Sequence, residues 1–179
     1  MSSEARLDRN DAGLVPATPG WFVVNVADAA WLCNDAFGAA CVFEGPEAGF
    51  PEVGFRLRVL DPDQPNALYH RESAEEHFLV LVGRCRLLID GEERELRPWD
   101  FVHCPAGTEH VFVGVGDEPC AIVMVGARRE AKTITYPVAD IARRLGAGVA
   151  TETDSPGVAY EPFPEWQLER PDMTGLPWA

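Results

Sequence analysis

Positive charge is scarce in this sequence. Fifteen Lys and Arg face 29 Asp and Glu, a formal net charge of -14, so the chain repels phosphate backbones and anionic membrane surfaces. Nucleic acid and membrane are therefore not expected as partners, and no helix-turn-helix segment points to a self-contained transcription regulator. Paired cysteines are missing as well. The five present, Cys33, Cys41, Cys85, Cys104 and Cys120, are odd in number and contain no C-x-x-C spacing, which argues against a disulfide framework and a structural zinc site. Most sit among apolar neighbours, the usage of buried thiols in a reducing cytosol. Long apolar runs are absent: the opening MSSEARLDRNDAGLVPATPG has no secretory core, and no later run reaches spanning length. A soluble protein of cytoplasmic location is the expectation. No internal repeat or low-complexity tract is evident.

What is there suffices for one core. A chain of 179 residues with 46% apolar content is long enough for one domain and short for two. The pattern is period two. Val53, Phe55, Leu57 and Val59 alternate with Gly54, Arg56, Arg58 and Leu60, and DPDQPN ends that strand as a turn. Strands are expected at 21–26, 39–43, 67–72, 77–82, 84–89, 92–96, 100–104, 110–115 and 120–125, with Asp90-Gly91 as a hairpin turn. Many short strands with regular turns argue for an all-β barrel or sandwich. After Arg128 the spacing changes: Pro137 to Leu145 puts Val138, Ile141 and Leu145 on one helical face, with Gly146 just beyond. The predicted organisation is a flexible N-terminal arm over 1–20, a barrel over 21–128, and a short helix with a wrapping tail over 129–179. Tyr160, Phe163, Trp166 and Trp178 would anchor that tail across the barrel or a partner subunit.

Chemistry concentrates in YHRESAEEHFLVLVG, Tyr69 to Gly83. In an extended strand His70 and Glu72 project to one face, about 7 Å apart. Glu76 opens the next strand within cross-strand reach, and His110, in PAGTEH, begins another. Imidazole and carboxylate in open coordination suit Fe(II), Mn(II), Ni(II) or Zn(II), so the expected cofactor is a divalent metal ion held by His70, Glu72, Glu76 and His110. His77 alternates out of phase with Glu76 and falls outside. His103 could line the barrel as a proton shuttle or sit as a hydrogen-bonded core histidine. Arg56 and Arg58 share a face that is either interior, where they would clamp a substrate carboxylate, or solvated. Cys104 is expected to be buried and inert, whereas Trp99 could close over the barrel mouth or pack on the helix.

Over roughly residues 50–127 the sequence resembles the cupin superfamily. Its first motif, H-x-H-x3-E-x6-G, is matched by His70, Glu72, Glu76 and Gly83, with Glu72 where the second histidine usually stands. Its second, G-x5-P-x-G-x2-H-x3-N, is matched by Pro105, Gly107 and His110, with Trp99 and Gly114 in place of the first glycine and the asparagine. The resemblance implies an antiparallel double-stranded β-helix, the jelly-roll barrel, with a metal inside its mouth. Glu72 is then a fourth ligand, or a residue facing substrate that leaves His70, Glu76 and His110 as the set. The latter set is similar to that of the 3-hydroxyanthranilate dioxygenase branch, whose motif also reads His-x-Glu-x3-Glu. The expected function is a metal-dependent enzyme, dioxygenase-like or an isomerase, acting on a small organic molecule, with Glu72 as ligand or acid/base. The competing readings are a non-catalytic small-molecule binder or sensor, and a metal-free barrel whose glutamates bond Arg71 or Arg86. A homodimer is expected by association with other single-barrel cupins.

Overall fold

The computed structural model describes residues 3–128 and 131–178. In chain order the elements are β1 (Leu7–Asn10), β2 (Gly13–Pro16), β3 (Ala30–Asn34), β4 (Gly38–Val42), β5 (Val53–Leu60), β6 (Arg71–Glu72) and β7 (Glu76–Val82). They continue with β8 (Arg84–Ile89), β9 (Glu92–Leu96), β10 (Phe101–Cys104), β11 (His110–Val115), β12 (Cys120–Ala127), β13 (Ile134–Thr135), α1 (Asp140–Arg144), α2 (Pro156–Tyr160) and β14 (Gln167–Leu168). A seven-stranded sheet ordered β10-β7-β12-β5-β4-β3-β14 faces a three-stranded sheet ordered β11-β8-β9, and all the pairings within them are antiparallel. The fold is the all-β architecture expected from the strand pattern, closed as the jelly-roll barrel that the resemblance implies.

The interior between these sheets is filled by Leu60, Phe78, Val80, Cys85, Leu87, Phe112 and Ile122. Alternation along each strand sends these side chains inward. The large sheet is covered on its other face too: Leu57, Val59 and Ala121 pack with Trp31 and with Leu176 near the C-terminus, and Trp178 stacks on Trp31 at 6.4 Å. One end of the barrel is closed by Phe37, Leu68 and Tyr136 with the tail's Tyr160, Phe163 and Trp166. The tail thus packs on its own barrel. Gly83 is required at its turn, because its φ is +69° and a Cβ there would lie 2.2 Å from the Pro119 carbonyl oxygen.

Several boundaries differ from the sequence reading. Residues 21–26 form no strand: Trp21 makes one isolated bridge, to Glu4, and Val23 is exposed. The strand falls instead on Ala30–Asn34, because the Asn34 side chain accepts from the amides of Ala36 and Phe37 and turns the chain into β4. Of the strand expected at 67–72 only β6 and an isolated bridge from His70 to His110 remain. In the stretch assigned to an N-terminal arm, β1 and β2 pair as a hairpin. The helix expected over 137–145 shortens to α1, since Ala139 is still extended and Val138 stays exposed. A second helix, α2, lies in the tail, where Ser155 caps the Val158 amide and Pro156 occupies the first turn.

Candidate functional site

Strands β5, β7, β11 and β12 and the segments beside them meet at a cavity of about 240 Å³ inside the barrel. Strand β7 carries Glu76 inward, on the face of Phe78 and Val80. The start of β11 carries His110, and the segment ahead of β6 carries His70, bridged to His110 through reciprocal backbone bonds. One ligand atom from each of His70, Glu76 and His110 lies within 4.8 Å of the others. His70 and His110 are 7% and 1% exposed, and Phe78 supports the His110 ring at 5.2 Å between centroids.

The backbone fixes the tautomers. Nδ1 of His70 lies 2.7 Å from the Leu68 carbonyl oxygen and Nδ1 of His110 lies 3.0 Å from that of Thr108. A carbonyl oxygen only accepts, so each Nδ1 carries the proton and each Nε2 keeps a lone pair. Nε2 of His110 is 3.4 Å from Oε2 of Glu76. The electrostatics follow from burial. His70 is pulled down to about 3, first by desolvation and then by the neighbouring His110, and desolvation also lowers His110. Glu76 is pushed up to about 7 by desolvation and then by the Glu72 charge. Two neutral imidazoles and a carboxylate that resists ionisation converge on one point, a donor set that fits a divalent cation.

Glu72 stands apart from this group. Its carboxylate is engaged by Lys132, the chain's single lysine. The strand that would have aimed Glu72 with His70 is only two residues long, and Glu72 pairs there with Ile134 of β13, which turns it toward Lys132. His103 requires a correction: it is exposed on the outer face of β10, whose alternation turns Val102 and Cys104 inward instead. There its Nδ1 lies 3.1 Å from Nε2 of His77, the residue directly opposite. Glu75, His77 and His103 form a second group of ligand atoms within 4.8 Å, on the outside.

Arg56 and Arg58 line the same cavity as His70, Glu76 and His110. Arg71 and Arg86, the arginines of the metal-free reading, are engaged elsewhere, with Glu109 at 2.6 Å and Glu93 at 3.2 Å. Sequence reasoning missed Lys132, Arg128 and Asn66 as lining residues. The one available signal was the isolation of Lys132 as the sole lysine.

Residues 56–126 match the family model described as Cupin domain. A sugar phosphate isomerase of the cupin superfamily from Silicibacter pomeroyi is 22% identical, aligns over 66% of this chain and 83% of its own, and has a TM-score of 0.57. A polyketide cyclase from Streptomyces resistomycificus is 19% identical over 62% and 82%, with a TM-score of 0.52. An Acidithiobacillus ferrooxidans protein, assigned as a sugar phosphate isomerase, is 25% identical over 48% and 56%, with a TM-score of 0.46, so this chain spans little more than half of that protein's length. No curated protein matches the chain. The first two likenesses establish the fold.

Proposed function

The chain carries a cupin domain over residues 56–126, and from that premise we propose that His70, Glu76 and His110 hold a divalent metal ion, Fe, Mn, Ni or Zn, on which a small organic molecule reacts. The observation that carries this reading is the 3.4 Å approach of the His110 Nε2 lone pair to the largely buried Glu76 carboxylate. Two acceptors that face each other in low dielectric need a proton or a cation between them. A divalent ion held by three protein ligands supplies a Lewis acid with open positions for a substrate oxygen, dioxygen or water.

The protein's own contribution is orientation and exclusion of solvent. The Leu68 and Thr108 carbonyls hold both rings in the ligating tautomer. Glu72 enters through Lys132, which it holds at the cavity wall. Dioxygenation is the first reaction to test, and isomerisation, the activity named for the Silicibacter pomeroyi neighbour, is the second. The five free thiols, four of them buried, suit a reducing compartment. Exposed Trp99 and Phe101, beside and on the edge strand β10, are the face we assign to a homodimer, which light scattering would read as twice 19.6 kDa.

Elemental analysis of protein purified without added metal, followed by titration with Co(II), tests the centre. One equivalent in the native chain and none in His110→Ala is the expected result. Equal uptake by both would sink it. Oxygen consumption with Fe(II) against catechols, thiols and keto acids then tests dioxygenation, and interconversion of sugar phosphates, the substrates named for the Silicibacter pomeroyi neighbour, tests isomerisation; turnover in neither leaves a non-catalytic binder.

A further inference from the structure

The chain is strongly acidic, yet its cavity gathers cations: Arg56, Arg58, Arg128 and Lys132 line it, against the single carboxylate of Glu76. Two of these cations are already neutralised. Arg128 forms a two-pronged pair with Glu44, with both bonds at 2.7 Å, and Lys132 is engaged by Glu72. Arg56 and Arg58 make no ion pair among the described residues. One terminal nitrogen of each, Nη1, is buried without a hydrogen-bond partner there. Arg58 lies over the Trp166 ring, 4.4 Å from its centroid, so its cationic face is already supported while its Nη1 has no acceptor among the described residues.

A buried guanidinium donor with no acceptor is among the costlier features a fold can carry. Arginine stays charged in proteins, and burial lowers Arg58 only to about 10, so proton loss does not relieve it at neutral pH. Alternation on β5 also keeps the two side chains side by side, opposite Met124 and Ile122 of β12, where each raises the potential felt by the other. Two guanidinium forks lining one small cavity match the paired oxygens of a carboxylate or a phosphate group. The cavity, at about 240 Å³, is smaller than the ~300–1,000 Å³ of sites for drug-sized ligands.

We propose that Arg56 and Arg58 form an oxyanion clamp, so that the ligand of this barrel is a small organic acid or phosphate ester gripped at its anionic end. The clamp is a property of the cavity itself. Its role in turnover, fixing one end of a substrate whose other oxygens reach the histidines, rests on the metal-dependent reading above.

The test uses the full chain, stripped of metal with chelator and dialysed. Malonate, inorganic phosphate and uncharged malonamide are each titrated while thermal unfolding is followed. Malonate or phosphate should raise the midpoint saturably and malonamide should not, and the stronger of the two anions identifies the source as carboxylate or phosphoryl. Arg56→Gln should weaken that anion at least tenfold, whereas Arg84→Gln, on an exposed strand end, should leave it unchanged. Should Arg58→Gln fail to fold for want of its contact with Trp166, Arg56→Gln and the malonamide comparison still decide. Equal responses to malonate and malonamide, or undiminished binding by Arg56→Gln, would overturn the clamp. A parallel Co(II) titration keeps the two readings apart: metal uptake without an anion response removes the clamp alone, and an anion response without metal uptake removes the metal centre alone.

Discussion

Two clusters of two imidazoles and a carboxylate occupy opposite faces of one strand. Glu76 of β7 points inward to join His70 and His110, while its neighbours Glu75 and His77 point outward to join His103. Both clusters bring three ligand atoms within 4.8 Å, so proximity does not distinguish them. The surroundings do. The inner rings each donate Nδ1–H to a backbone carbonyl and leave Nε2 unanswered, whereas the outer rings answer each other across 3.1 Å and meet water. A ligand set becomes a binding site when its lone pairs are oriented by groups that cannot also satisfy them.

Removing a ligand from each cluster gives the largest contrast. Glu76→Gln or His110→Ala should weaken the tight Co(II) equivalent by at least ~100-fold, because loss of a direct ligand exceeds the ~10–100-fold typical of an outer partner. His77→Ala should leave that equivalent in place. A His77 variant that lost tight binding, with the inner variants unaffected, would invert the assignment.

The next contrast is in pH. Between about 4.5 and 6.5 the unfolded chain carries a protonated His70 and an ionised Glu76, while the fold holds His70 neutral, pulled to about 3, and Glu76 protonated, pushed to about 7. A raised carboxyl favours folding below its unfolded value and loses that contribution as pH rises through about 7. A depressed histidine favours folding above about 6.5 and loses that contribution as pH falls through about 3. The two slopes cancel in the metal-free protein. Glu76→Gln leaves the histidine slope uncompensated, so its stability relative to the native chain should rise with pH by up to about 1.4 kcal/mol per unit in that window. Urea unfolding of the metal-free proteins at pH 5 and 6 measures it, and parallel profiles would refute the coupling. Metal affinity should also fall by up to about tenfold per unit below pH 7, as the proton competes for Glu76.

Strand parity made much of this contrast legible in the sequence. It assigned Glu76 inward and His77 outward, and the spacing to Gly83, Pro105, Gly107 and His110 marked the barrel. Parity failed where its premise fails. Arg56 and Arg58 were undecided because β5 is buried on both faces, with Leu57 and Val59 covered by Trp31 and the tail, so both alternating sets look interior. Glu72, open between ligand and substrate-facing residue, falls outside the three-atom group because the same-face rule needs an extended strand, and the chain turns at Ser73-Ala74 after two residues of β6. Lys132 reaches the cavity and Trp166 reaches Arg58 from beyond the barrel, contacts that no local pattern encodes.

The turn before β10 offers a smaller and opposite effect. Trp99 stands where the cupin motif has glycine, and it adopts φ 76° with its side chain 74% exposed. A bulky residue in the left-handed region is strained by about 1–2 kcal/mol, and here no buried contact offsets it. In an isolated subunit Trp99→Gly should therefore stabilise the fold by about 1 kcal/mol after the added freedom of the unfolded chain is counted. Thermal unfolding checks the sign. A loss would mean that the exposed ring is covered in solution, as the homodimer requires.

His103→Ala should have the smallest effect. Its bond to His77 is made at the surface, where water replaces a lost partner, so the expected change in stability is within about 0.5 kcal/mol. The informative readout is a second, weaker Co(II) equivalent. If the outer trio binds metal at all, it does so without buried support, and that equivalent should vanish in His103→Ala while the tight one persists. Were the outer equivalent instead the tighter, burial and backbone-fixed tautomers would count for less than solvent access, and the ranking of the two faces would reverse.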